Sequence, residues 1–211
     1  LKLRLPGWAM NEAIPGGLYR FTNTDNEPVK LLINDEAAEV DPIDGYVVIK
    51  RIWRQGDKVS IEFPMPVRTI TADERIKDDV GKIAIQRGPV IYCAEWPDNN
   101  GGNILNLVID RKAPMTSEFI PALLDGTEII KTSGYQTKKT LDGSIEKFPE
   151  EAVTLIPYAL WNNRGPGQMM VWLPVSDKSA HPLPAPTIAN RSKIRTSKMT
   201  RLISAINDQV E

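Results

Sequence analysis

Histidine and cysteine are nearly missing from this chain of 211 residues, in which Cys93 and His181 each stand alone. A single cysteine excludes an internal disulfide and a cysteine-rich metal cage. A Ser-His-Asp triad or a Cys-His pair would have to run through His181, which sits among prolines and reads as a solvated tail residue. Charge of one sign is lacking too. The 26 Lys plus Arg nearly cancel the 27 Asp plus Glu, so no global field gathers nucleic acid or an anionic membrane surface. No apolar run approaches the ~18 residues of a membrane span. No glycine-rich loop leads into Lys and Ser or Thr to cradle a phosphate, and no dinucleotide fingerprint occurs. A signal-peptide pattern is absent as well. The opening "LKLRLPGW" already reads as a strand in mid-sheet, so we expect a piece of a longer chain.

What is present is β-periodicity. In "KLRL" Leu3 and Leu5 share one face with Leu1, while Lys2 and Arg4 share the other. The same alternation recurs in Val29-Leu31-Ile33, Val47-Ile49, Val59-Ile61-Phe63 and Ile83-Ile85. Turn chemistry separates these runs: "TNTDNEP", "DPIDG", "RQGD" and "DDVG" place Gly, Pro, Asn and Asp where a chain reverses. "INDEAAEV" hints at a helical turn but reads better as a hairpin loop with a small bulge. Many short strands between regular turns predict an all-β protein of antiparallel sandwiches.

The pattern breaks at "EWPDNNGGN" and resumes with Leu105, Leu107 and Ile109. We therefore expect two consecutive antiparallel β-sandwich domains, 1–98 and 103–175, the first open to completion by a strand from upstream. From Ser176 to Glu211 the chain is rich in Pro, Ser, Lys and Arg, the composition of an extended or disordered linker leading to a further module.

Four stretches in this order, "LRLPGWA", "IWRQGDKVSIEFPMPVR", "IAIQRGPVIYCAE" and "LIPYALWNNRGPGQMMVWLP", carry a resemblance. Over roughly residues 1 to 175 the chain resembles the C-terminal β-sandwich region of family-127 glycoside hydrolases, which are retaining β-L-arabinofuranosidases. The resemblance implies an N-terminal catalytic α/α barrel, absent from this chain, that holds a cysteine nucleophile, zinc and the catalytic glutamates. It implies a bacterial parent, periplasmic or secreted, with zinc confined to that barrel. Expected partners are the barrel itself, a second copy of the chain and carbohydrate; nucleic acid and membrane are not expected.

None of that machinery maps onto this chain. Cys93 lies inside the strand "VIYCAE", where a cysteine behaves as a small hydrophobe rather than a thiolate nucleophile. A glycosidase needs two carboxylates converging on a cleft, whereas Asp78-Asp79 and Glu150-Glu151 are neighbours in polar loops. We therefore assign no catalytic, cofactor-binding or metal-binding residue. Trp8, Trp53 and Trp172 stand at strand ends and read as plugs of a sandwich core. The stretch Leu155 to Pro174 reads as a β-hairpin turned by Gly165-Pro166-Gly167, with an edge or a bulge at Pro157. Its polar end, Trp161, Asn162, Asn163 and Arg164, is the candidate contact for a neighbouring domain or a sugar, and Arg164 suits bidentate pairing with a carboxylate. Two functions follow: the non-catalytic region that supports the barrel of a glycoside hydrolase, or a carbohydrate-binding module in its own right.

Overall fold

The computed structural model describes residues 1–23, 27–99 and 103–185. It is all-β, its only helical pieces being single 3-10 turns among the described residues. The first seven strands are β1 (Lys2–Arg4), β2 (Tyr19–Phe21), β3 (Lys30–Ile33), β4 (Glu36–Ala38), β5 (Pro42–Ile43), β6 (Tyr46–Val48) and β7 (Val59–Glu62). Two three-stranded antiparallel sheets form from them, ordered β1-β6-β5 and β4-β3-β7. Both sheets point their alternating apolar residues at one small core, with Leu5, Val47 and Ile49 from one side and Leu31 from the other. Val59, Ile61 and Phe63 close it, as their alternation predicts.

Two tight hairpins set the register of these sheets. Asn34 and Asp35 between β3 and β4 both have positive φ (54° and 66°), as do Asp44 and Gly45 between β5 and β6 (52° and 77°). Two central residues with positive φ match the right-handed twist of the flanking strands. "INDEAAEV" is thus a two-residue hairpin without a bulge. The Asn34 side chain also ties the hairpin to its neighbours: Nδ2 donates to Asp57 (2.9 Å) and Oδ1 accepts from the Lys58 amide (2.8 Å).

The second half begins with β8 (Val67–Ala72), β9 (Lys82–Arg87), β10 (Val90–Glu95), β11 (Leu107–Ile109) and β12 (Thr116–Ile120). It continues with β13 (Thr127–Lys139), β14 (Ile145–Lys147), β15 (Glu151–Pro157), β16 (Met169–Met170) and β17 (Leu173–Pro174). These strands and β2 form one antiparallel sheet with the path β11-β13-β15-β10-β9-β8-β2. The sheet curls round the main core, where Ile83, Ile85, Tyr92, Leu107, Ile130 and Leu155 pack together. Its opposite face is covered in part by a second cluster of Cys93, Ile129 and Ile156. Adjacent residues such as Leu155 and Ile156 are therefore both fully buried.

The stretch 98–103 stands between two strands of this one sheet. β10 and β11 lie on its two sides, and both belong to the same path through β15 and β13. The change of sheet comes earlier in the chain, at Pro64-Met65-Pro66, between β7 and β8. Prolines there withdraw the donors that a continuing ladder would need.

The start of the expected tail is also tied down. Asp177 accepts from the Tyr135 hydroxyl (2.8 Å) and pairs with Lys147 (2.9 Å). Ser179 Oγ donates to the Gly81 carbonyl (2.8 Å), and Leu183 bridges β13 through two backbone hydrogen bonds. Residues 176–185 are thus part of the folded body. The rest of the expected tail, from 186, lies outside the described residues.

Candidate functional site

The stretch from Leu155 to Pro174 does not pair with itself. β15 runs along one edge of β10, with Leu155 opposite Ala94, while β16 runs along the other, with Met170 opposite the same Ala94. β10 is therefore wedged between the two arms of the expected hairpin. β15 is an interior strand, and Pro157 is its last residue rather than an edge or a bulge. The chain then makes a 3-10 turn over Tyr158–Leu160 and crosses the end of β10.

Glu95 is the peg for that crossing. It is 1% exposed, and its Oε1 accepts from the Asn162 amide at 2.7 Å while Oε2 pairs with Arg164 Nη2. Arg164 also grips both oxygens of Asp98, with Nη1 to Oδ1 at 2.6 Å. Hydrogen bonding to Asp98 raises the Arg164 pKa above its ordinary value; burial opposes this and Glu95 adds to it. Asn99 sews the same corner to β15, accepting from the Thr154 amide (3.0 Å) and donating to the Thr154 carbonyl (3.0 Å).

The four residues of the polar end are thus split. Arg164 is half-buried and serves carboxylates of its own chain. Asn163 is exposed, and its side chain donates to the Leu160 carbonyl (2.9 Å), a turn-closing role. Asn162 is exposed and holds a left-handed conformation (φ 65°) that points its amide at Glu95. Trp161 is 37% exposed, with its amide donating to the Tyr158 carbonyl (3.2 Å). Gly167 lets the chain pass over Trp96, because a Cβ there would lie 2.0 Å from the indole Cδ1.

A cleft that the sequence did not reveal lies on the same sheet face. Its floor is Ile70, Ala84, Gln86 and Ile91, brought side by side by the registers Ile70 to Ala84 and Ile91 to Gln86. Its walls are Trp8, Tyr19 and Trp172, and its volume is ≈ 560 Å³. Tyr19 and Trp172 stack with centroids 5.5 Å apart at 28°, while Trp8 meets Phe63 edge-on at 5.7 Å. Trp8 and Trp172 therefore line an open cleft rather than plug a core. Trp53 is 38% exposed, with the Arg51 guanidinium 5.2 Å from its ring centroid.

Arg4 and Glu12 stand at this cleft, and neither side chain has an ion-pair or hydrogen-bond partner among the described residues. Beside the floor, Arg68 is buried. Its Nη2 donates to Asn11 Oδ1 and to the Asn23 carbonyl (2.8 Å), and the Phe21 ring lies 3.4 Å from its Cζ. Nε and Nη1 have no partner, and burial lowers the Arg68 pKa. Through Asn11 this side chain fastens the turn that carries Trp8 to the large sheet.

Cys93 is fully buried against Ile129 and Ile156. Burial pushes its thiol up to about 12, with the Glu95 and Asp98 charges adding to the shift. The donor set for zinc does not fit here. Among the described residues no group of three or more His, Cys, Asp and Glu is placed to hold a metal ion. We expect native Cys93 to resist a thiol-specific reagent at pH 8 and to react at once after unfolding. Because an unfolded cysteine ionises near 9, this group also makes stability fall as the pH rises from 9 towards 12. Rapid stoichiometric labelling of the native protein would contradict the burial.

Residues 1–65 match the model for the beta-L-arabinofuranosidase GH127 middle domain, and residues 67–174 match the glycoside hydrolase family 127 C-terminal domain. The junction between the matches coincides with the change of sheet at Pro64-Met65-Pro66. A non-reducing end beta-L-arabinofuranosidase of Bifidobacterium longum is 28% identical over 182 residues, which are 81% of this chain and 25% of that protein. A solved GH127 beta-arabinofuranosidase shares 34% identity with a TM-score of 0.80, over 87% of this chain and 28% of its own. The GH127 beta-L-arabinofuranosidase of Geobacillus stearothermophilus shares 33% with a TM-score of 0.68, over 82% of this chain and 26% of its own. The chain thus spans about a quarter of the length of the relatives it matches. With both of its sheet systems matched end to end, the chain belongs to glycoside hydrolase family 127, of which it comprises the middle and C-terminal β-domains.

Proposed function

We propose that this chain is the non-catalytic β-sandwich region of a β-L-arabinofuranosidase-like glycoside hydrolase and supports a catalytic domain carried elsewhere in the longer protein. The observation that carries the reading is the state of Cys93: a thiol with no exposure and a pKa near 12 is not a nucleophile. The carboxylates point the same way. Glu95 and Asp98 are spent on Arg164, and so are not free to act as an acid and a base. Zinc, on this reading, belongs to the catalytic domain.

A surface for that domain is available. The outer face of β5 and β6 exposes Ile43 (65%), Tyr46 and Val48, with Lys2 beside them in register. Apolar groups rimmed by charge mark surfaces that another body covers. Contacts with a second copy of the chain would draw on the same face. Arg164 is ion-paired to Glu95 and Asp98 of its own chain.

The test is an assay of the purified chain on aryl α- and β-arabinofuranosides, with and without zinc. We expect no turnover. Hydrolysis that persists through purification and is abolished by Cys93→Ser would overturn the reading.

A further inference from the structure

We propose that the cleft between Trp8, Tyr19 and Trp172 is a saccharide-binding subsite that takes one or two neutral sugar units. Its volume of ≈ 560 Å³ sits within the ~300–1,000 Å³ of small-ligand sites. Its chemistry selects the ligand class in three ways. The floor and walls are apolar and aromatic, and the Trp8, Tyr19 and Trp172 side chains supply ring surface on which the C–H-rich face of a sugar packs. Arg4 and Glu12 add a donor cluster and an acceptor pair, both without partners in the described chain. Gln86, in the floor, is held by its Nε2 donating to the Gly88 carbonyl at 2.6 Å, so that polar group is fixed rather than free to swing.

Charge narrows the class further. An anionic ligand meets the Glu12 carboxylate, and a cationic one meets the Arg4 guanidinium. A purely apolar ligand leaves both groups unmatched and costs them part of their hydration. A neutral ring carrying several hydroxyls satisfies all three conditions, because each hydroxyl both donates and accepts. The walls are also supported: Phe63 backs Trp8, Tyr19 backs Trp172, and Arg68 with Asn11 fastens the Trp8 turn to the sheet. Such a cleft gains affinity because little of it needs ordering on binding. The subsite does not depend on the accessory reading, and its failure would leave that reading standing.

The experiment is a titration of the intact chain with methyl β-L-arabinofuranoside, methyl β-D-xylopyranoside and arabinobiose, followed by tryptophan fluorescence and by saturation-transfer NMR. Glucuronate and glucosamine serve as charged controls. We expect saturable binding of at least one neutral sugar, with a Kd in about the millimolar range, and weaker binding of both controls. Trp172→Ala should reduce the affinity about tenfold or more, which is the loss of roughly 1.4 kcal/mol. Glu12→Gln, at an exposed position that holds no part of the core, should reduce it several-fold without changing the unfolding midpoint. Absence of saturation by every neutral sugar at tens of millimolar would overturn the proposal. So would affinity unchanged in both variants, or a concentration-dependent dimer that quenches Trp172 without sugar.

Discussion

Glu95→Ala is expected to destabilise the protein by ~3–5 kcal/mol, the cost of removing one partner from a buried ion pair. Glu95 is 1% exposed and receives both the Asn162 amide and Arg164 Nη2. Its removal leaves the amide without an acceptor and the guanidinium with Asp98 alone, beside a void the size of a carboxymethyl group. The crossing from β15 to β16 then loses its anchor, and with it the pairing of Met169 and Met170 along β10. Urea unfolding should show the midpoint falling with the slope unchanged, as expected for lost stability without a change in the surface exposed. The double variant Glu95→Ala with Arg164→Ala should lose less than the sum of the two singles, because the second substitution removes a charge already deprived of a partner. A loss under ~1 kcal/mol for Glu95→Ala, the worth of an exposed pair, would sink this account of the crossing.

Local chemistry made the strands and tight turns of the first lobe readable. Asn34-Asp35 and Asp44-Gly45 are turn pairs flanked by alternating apolar residues, and that combination specifies a hairpin wherever it occurs. Cys93 was readable for the same reason. A cysteine between Tyr92 and Ala94 in an apolar strand is buried whichever way the strand faces, because this sheet is covered on both sides there. The wedge of β10 between β15 and β16 was not readable. "LIPYALWNNRGPGQMMVWLP" carries every mark of a hairpin, and only the arrival of a strand from some 60 residues upstream separates its arms. Arg164 likewise meets Asp98 and Glu95, 66 and 69 positions away, and no local pattern encodes such a partner.

The cleft was hidden for a related reason. Its walls come from a 3-10 turn, from β2 and from the approach to β17, so Trp8, Tyr19 and Trp172 converge only after both sheet systems are in place. Each tryptophan taken singly looks like a core plug. Their half-buried state follows from a sheet face that neither lobe fully covers. The boundary expected at 98–103 rests on Gly, Asn and Pro, which mark a turn without telling whether the strands on either side share a sheet.

One glycine shows how a single position can report such a long-range approach. "KTSGYQTKK" places Gly134 inside β13, where a glycine gives the ladder no side chain and weakens it unless another chain segment comes close. Here β11 comes close: a Cβ on Gly134 would lie 2.3 Å from the Val108 carbonyl oxygen and 3.3 Å from Ile109 Cα. The register places Ile109 directly opposite Gly134 on one side and Glu151 opposite it on the other. Neither flank can retreat, since Val108 and Val153 are both fully buried. The clash is with backbone, so no rotamer change relieves it, and β11 must shift away from β13. Gly134→Ala is therefore expected to cost about 2–3 kcal/mol, the upper part of the overpacking range. That outweighs the ~0.4–1 kcal/mol which alanine gains by restricting the unfolded chain. Thermal unfolding should show the midpoint lower by roughly 5–10 °C, and hydrogen exchange should rise at the Asp110 and Thr137 amides, which donate to the Ser133 and Asn106 carbonyls across this pair, before it rises elsewhere in the sheet. A Gly134→Ala protein as stable as its parent would mean that β11 is not held against β13 as the structure has it.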